Sequence, residues 1–462
     1  MKFINPNRIN KSLILILFIV FLIKSLNGYL RWDLNQHIGM VDNFTLDGSF
    51  YPTDENLYSP VSIYPLGVRL IALTFYNIGL NDNLVNIMLL TSVLILIFTF
   101  ILLVKYSYHR MKINNSIVPL CISFTLICCN QFIFYSTEFK PDTISLLLCF
   151  LGLIMYLKNK KLILISSILI GISVLFKQQS IGFIFGLGLY SLLFYKHSIK
   201  YLSILSSLIY FLLFFYLYSD NQTKLYSFDV VSDDGIRVFS SILIDIYLTL
   251  QNILIFTVFF LYTVDSKVNL KEIKNTFIEL YKNPYTYISV SIFGISFLGS
   301  IINGGNTGNI QVGLFFMLPV LIFVFQKFKI NYLKSIVICF ICFFMNSSQL
   351  LQPIKSLFER YQLIEIINDL NKNNKIEYVL TSSDSYSVVR NLRENGAIIH
   401  DYRTPLLLDK NFDLNKLNWE NYDLVITNKS DFNLIEKSKV HEFVKLDETN
   451  HFLILIPPKL IK

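Results

Sequence analysis

The sequence predicts a mainly α protein, a polytopic bundle of transmembrane helices followed by a small α/β domain. Three observations predict it. Charged residues make up only 16% of the 462, against about 25% in a soluble domain, while the mean hydropathy is +0.52. Apolar runs of about 16 to 22 residues alternate with short polar breaks through the first 350 residues, and that is the length a helix needs to cross a bilayer. The runs lack the alternation of a barrel strand, and only helices or closed barrels satisfy backbone polar groups in lipid. After residue 351 the long runs give way to short continuous apolar stretches separated by helical segments.

Eleven spans are expected, at about 12–27, 84–104, 116–135, 142–157, 162–176, 180–195, 201–218, 238–262, 286–302, 310–325 and 335–351. The first, behind Lys2, Arg8 and Lys11, has no A-x-A cleavage site after it and reads as a retained helix. Residues 63–80 are apolar enough to tempt a twelfth span, but charge decides against it. With 63–80 lying along the outer surface, the inner loops hold 18 lysines and arginines and the outer segments up to residue 351 hold 7. Basic residues favour the cytoplasmic side. The N-terminus is then cytoplasmic and the C-terminus extracytoplasmic, in a multi-pass protein of the cell membrane. Residues 1–351 form the membrane domain, with a first outer loop at 28–83, and residues 352–462 the extracytoplasmic α/β domain.

Composition also excludes some classes. The net charge of +8 is scattered through small loop clusters, as membrane topology demands, so no nucleic-acid partner is expected. All six cysteines fall inside expected spans, which leaves no disulfide framework and no zinc ribbon. In the C-terminal unit, strands are expected at 376–382, 397–400, 422–427, 440–446 and 451–457, with helices at 355–372 and 384–395, in a partly parallel sheet. The first strand is followed by TSSDSYS rather than a glycine-rich phosphate loop, which argues against a nucleotide site.

Four outer segments carry the candidate chemistry. Asp33 and His37, directly after span 1, are spaced i, i+4 and share a face if the segment is helical. The surface helix at 63–80 carries Arg69. EFKPDT supplies Glu138, Lys140 and Asp142, and its proline suits the first turn of span 4, near the positive end of the helix dipole. FKQQS puts Lys177, beside Gln178, on an outer turn against the inside preference for lysine. An ionisable group at such a depth is a functional candidate. The loop NGGNTGN, with Gly304, Gly305 and Asn306, can bring backbone N–H groups near an anion or a sugar.

Together these segments resemble the GT-C superfamily of polytopic glycosyltransferases, which includes protein O-mannosyltransferases and aminoarabinose transferases. An Asp after the first helix corresponds to Asp33, and a Tyr-Pro segment opening the surface helix corresponds to Ile63–Gly67. The Arg-Pro-Asp motif corresponds to Lys140–Pro141–Asp142, the Thr-Lys-Gln turn to Phe176–Lys177–Gln178, and a Gly-Gly-Asn loop to 304–306. Two positions depart from the pattern: Leu34 stands where many members have a second acidic residue, and Lys140 replaces the commoner Arg.

The resemblance implies transfer of a sugar from a polyprenyl-phosphate donor to a glycan, lipid or protein acceptor at the outer face, with inversion at the sugar carbon. Asp33 is then the expected base, with Glu138 and Asp142 beside the developing oxocarbenium. Lys177, Lys140 and Arg69 would meet the leaving phosphate, and His37, Gln178, Gly304, Gly305 and Asn306 would bind substrate. No cofactor is fixed; a divalent cation stays open. The alternative readings are a transporter or flippase of lipid-linked sugars, and a polysaccharide polymerase or ligase.

Overall fold

Helices fill the long apolar runs. The computed structural model describes residues 6–26, 30, 32–51, 58, 60, 67–110, 141–194, 198–218, 239–264, 269–301, 317, 319–324, 327–328, 331–345, 348–408, 412–436 and 438–460. In chain order its main helices are α1 (Pro6–Ser25), α2 (Trp32–Asp47), α3 (Gly67–Asn77), α4 (Leu84–Arg110), α5 (Pro141–Lys158), α6 (Ile163–Ser173), α7 (Ile181–Phe194), α8 (Ser198–Tyr218), α9 (Phe239–Thr263), α10 (Leu270–Tyr281), α11 (Pro284–Ile301), α12 (Tyr332–Met345), α13 (Ser348–Asn373) and α14 (Tyr386–Glu394). The expected span at 116–135 and most of that at 310–325 lie outside the described residues.

The apolar helices have two greasy sides. On α4, Met88, Val93, Leu96 and Phe100 face the bundle core, while Leu90, Leu94 and Phe98 are about half exposed. A helix apolar all round is one whose outer face does not meet water. Among the described residues, the stretch Leu84–Leu103 is long and apolar enough on its own to cross a membrane, with three shorter apolar helices beside it. Helices α7 and α11 pack along one another. Gly182 and Gly186, a G-x-x-x-G pair, let the backbones meet there: a Cβ on Gly186 would lie 2.5 Å from the Cα of Ile288. Small residues at such spacing allow close helix approach in lipid.

The C-terminal sheet has five strands: β1 (Tyr378–Thr381), β2 (Ile398–Asp401), β3 (Leu424–Asn428), β4 (Val444–Glu448) and β5 (Phe452–Ile456). Their order is β2-β1-β3-β5-β4. The first three run parallel, and β5 joins antiparallel to both β3 and β4. The expected strands therefore fall where the sequence puts them, to within a few residues. One expected boundary does not mark a break, because α13 runs unbroken through 351 and 352.

The segment expected as the first outer loop is, in its described residues, more helical than its sequence suggests. It contains α2, sixteen residues long, and the surface helix is the eleven-residue α3 rather than the whole of 63–80. The C-terminal unit docks onto α2. The Asn35 side chain donates to the backbone oxygen of Asp384 (3.1 Å) and accepts from the backbone N–H of Ser387 (2.9 Å), in the first turn of α14. The helix start at the end of TSSDSYS thus receives a protein amide, satisfying an N–H with no partner within its own helix.

Candidate active site

The ends of several helices converge beneath the C-terminal unit. Helix α2 packs on α3, and α3 on α4. The start of α3 is fixed to the turn that carries Lys177: the N–H of Gly67 donates to the carbonyl of Leu175 at 3.2 Å. A Cβ here would lie 2.7 Å from the Phe176 ring, so any larger residue would force the ring to shift. The same turn is tied to α5. Ser145 Oγ donates to the carbonyl of Ser173 at 3.0 Å and hydrogen-bonds Ser180, and Cys149 donates to Ser173 Oγ at 3.1 Å. Lys177 itself is in extended conformation, just before the short turn that starts α7.

This packing brings two of the expected site residues together. Lys177 Nζ lies 3.3 Å from Asp142 Oδ2. Both residues are buried, at 5% and 7% exposure. The lysine therefore does not reach out toward the surface but sits in the interior against a carboxylate. Removing both charges from water is costly, and the pair holds because each neutralises the other. Asp142 occupies the first turn of α5, where the helix dipole also favours a negative charge.

Arg69 is fully buried on α3. It donates to the Tyr51 hydroxyl at 2.8 Å, and its guanidinium lies 5.2 Å from the Tyr51 ring centre and 5.8 Å from that of Phe50. His37 is fully buried on α2. Asp33 stands one turn before His37 on the same helix, so the i, i+4 spacing is realised in a helix; its side chain lies outside the described residues. Gln178 is partly buried beside Lys177. Glu138, Lys140, Gly304, Gly305 and Asn306 lie outside the described residues.

One residue stands out that the sequence does not single out. Asp42 sits two turns beyond Asn35 on the same face of α2. Its carboxylate accepts from Arg390 Nε at 2.8 Å and Nη2 at 2.9 Å, and from the Tyr386 hydroxyl at 3.0 Å. Arg390 also donates to the carbonyl of Asn81 at 2.9 Å, just ahead of α4, and bonds the Asn81 side chain. Burial, and then the charge of Asp42, push the Tyr386 hydroxyl well above its ordinary range. Asp42 and Asn35 thus hold the C-terminal unit on one face of α2, and Asp33 and His37 occupy the opposite face. The seven-residue spacing of Asn35 and Asp42 was a readable signal, but their partners are some 350 positions away.

No protein-family model matches the sequence, and no curated protein matches it. A solved structure matches the fold. The chain is similar to ArnT from Cupriavidus metallidurans, crystallised bound to undecaprenyl phosphate, with a TM-score of 0.58 at 10% sequence identity. The match covers 98% of each chain. The resemblance read from short segments is therefore matched by a likeness of fold.

Proposed function

We propose that this chain is an integral membrane glycosyltransferase that moves a sugar from a polyprenyl-phosphate donor to an acceptor at the extracytoplasmic face. The observation that carries the reading is the full-length likeness to a protein crystallised with undecaprenyl phosphate. The convergence of Lys177, Asp142 and the start of α3 at the pole that bears the C-terminal unit supports it. In this reading eleven spans put the N-terminus in the cytoplasm and the 352–462 unit outside.

The roles follow from the chemistry of transfer. A hydroxyl acceptor needs a base within hydrogen-bond reach, and Asp33, at the mouth of the bundle, is assigned that task. Attack from the face opposite the phosphate inverts the sugar carbon. Glu138 and Asp142 stabilise the positive charge that develops on the ring. The departing lipid phosphate is met by Lys177, Lys140 and Arg69, whose charge acts most strongly where water is excluded. His37, Gln178 and the loop at Gly304, Gly305 and Asn306 bind the sugars. Among the described residues no three His, Cys, Asp or Glu side chains come together as a metal site.

The test is transfer in vitro. Purified protein is given a panel of polyprenyl-phosphate sugars and acceptors, with and without a chelator. Wild-type protein forms a new glycosidic bond with at least one donor, and Asp33→Asn loses at least about a hundredfold in rate. Undiminished transfer by Asp33→Asn overturns the base assignment, and movement of the lipid-linked sugar across the membrane without bond formation overturns the enzyme reading.

A further inference from the structure

The pole opposite the C-terminal unit carries a feature that sugar transfer does not use. Helix α10 is a short amphipathic segment between two long apolar helices. It follows α9 after a six-residue connection, and only Lys282 and Asn283 separate it from α11. It is therefore held at the depth where those helices leave the apolar layer. Lys327, on the connection before α12, pairs with Glu279 of α10 at 2.5 Å, and the same connection is tied to the end of α9 by the N–H of Asn331, which donates to the carbonyl of Thr263 at 2.8 Å.

The two sides of α10 differ in kind. Phe277, Ile278 and Tyr281 are exposed at 67%, 47% and 58%. At 3.6 residues per turn, Lys271 and Lys274 fall on this same half of the helix, and Glu272 and Glu279, which are also exposed, on the other. Thr276, on the far side, is buried against the bundle. An exposed half that mixes aromatic residues with lysines suits a lipid interface, where the rings enter the acyl boundary and the lysines reach the phosphates. Where α10 ends, Lys282, Asn283, Tyr285, Leu157 and Phe323, together with the Glu279 carboxylate, line a cleft of about 300 Å³.

We infer that α10 and this cleft bind anionic phospholipid in the leaflet opposite the C-terminal unit, with Lys271, Lys274 and Lys282 holding the headgroup phosphates. Charge complementarity selects the occupant. The half bearing Phe277, Ile278 and Tyr281 carries lysines and no carboxylate, the Glu279 carboxylate in the cleft is already paired with Lys327, and Leu157 and Phe323 offer an apolar wall to the first acyl carbons. The inference rests on the membrane reading and is independent of sugar transfer.

Delipidated full-length protein, titrated with phosphatidylglycerol and with phosphatidylcholine and read by native mass spectrometry, tests it. Wild-type protein is expected to bind phosphatidylglycerol at least about tenfold more tightly, with the preference shrinking as salt screens the lysines. The exposed substitutions Lys271→Gln, Lys274→Gln and Lys282→Gln together abolish the preference, while Lys372→Gln with Lys375→Gln, on the C-terminal unit, leaves it intact. Equal binding of the two lipids by wild-type protein overturns the inference, as does a triple variant that keeps the preference. Binding of neither lipid instead overturns the membrane reading beneath it.

Discussion

Arg390 and Asp42 form a buried, two-pronged ion pair that fastens the C-terminal unit to the helix bearing Asp33. The guanidinium gives two hydrogen bonds to the carboxylate, and both residues are at most 6% exposed. Arginine suits this geometry because its planar fork matches a carboxylate. Removing one partner leaves the other charge buried and unpaired, which costs about 3–5 kcal/mol. Arg390→Ala and Asp42→Ala should each lower the thermal midpoint strongly. The double variant should lose clearly less than the sum of the two, because neither charge is then stranded. Strict additivity would show that the pair is not coupled. Because Arg390 also grips Asn81 ahead of α4, Arg390→Lys should not restore the wild-type midpoint.

Lys177 and Asp142 pose a different question, because the carboxylate assigned to the sugar also neutralises the cation assigned to the phosphate. If Lys177 stabilises the departing phosphate, Lys177→Met should lower kcat by about 10²–10³-fold. Asp142→Asn strands the buried lysine, so it should reduce both stability and transfer. The double variant separates the roles. If its rate equals that of Lys177→Met alone, Asp142 acts by holding Lys177. A further tenfold loss assigns Asp142 a contact of its own with the reacting sugar.

Gly67 offers a purely steric prediction. Its N–H is bonded to Leu175, and the space its side chain would need is filled by the Phe176 ring. Gly67→Ala should destabilise by about 1–3 kcal/mol through overpacking. Adding Phe176→Leu should recover part of the loss, as measured by thermal unfolding in detergent. An unchanged midpoint in the single variant would contradict the packing of α3 on this turn.

The reach of the sequence differed from one part of the molecule to another, for physical reasons. The C-terminal strands and the long apolar helices are written in local pattern, since burial on both faces needs continuous apolar runs. The i, i+4 relation of Asp33 and His37 is likewise local. Helix α2 was harder to see, because WDLNQHIGMVDNFTLD is polar on two faces, one turned to the C-terminal unit. In the sequence Asp42 is one more carboxylate of a polar segment, since Arg390 lies 348 positions away and no spacing rule connects them. The burial of Lys177 was hidden for the same reason: a short polar turn between apolar helices reads as exposed until the turn is seen locked beneath α3.

His400 makes the C-terminal unit sensitive to acid. It sits on β2, its Nδ1 is 2.8 Å from the Tyr422 hydroxyl, and it packs edge-on against Tyr58 and Tyr422. Burial, helped by the nearby positive charge of Arg393, lowers its pKa from 6.5 to about 4. The folded unit therefore keeps the ring neutral in a range where the unfolded chain protonates it. Well above pH 6.5 neither state binds the proton, and this residue adds no slope. As the pH falls from 6.5 to about 4 the unfolded state takes up a proton that the folded state refuses, so stability declines, by at most about 3 kcal/mol over the window. Denaturation midpoints followed by the fluorescence of Trp419, which is buried in this unit, should fall from pH 7 to pH 4.5. His400→Phe keeps the ring packing and removes the titration, so its midpoint should fall less over the same range. Parallel declines in the two proteins would mean that other groups set the acid sensitivity.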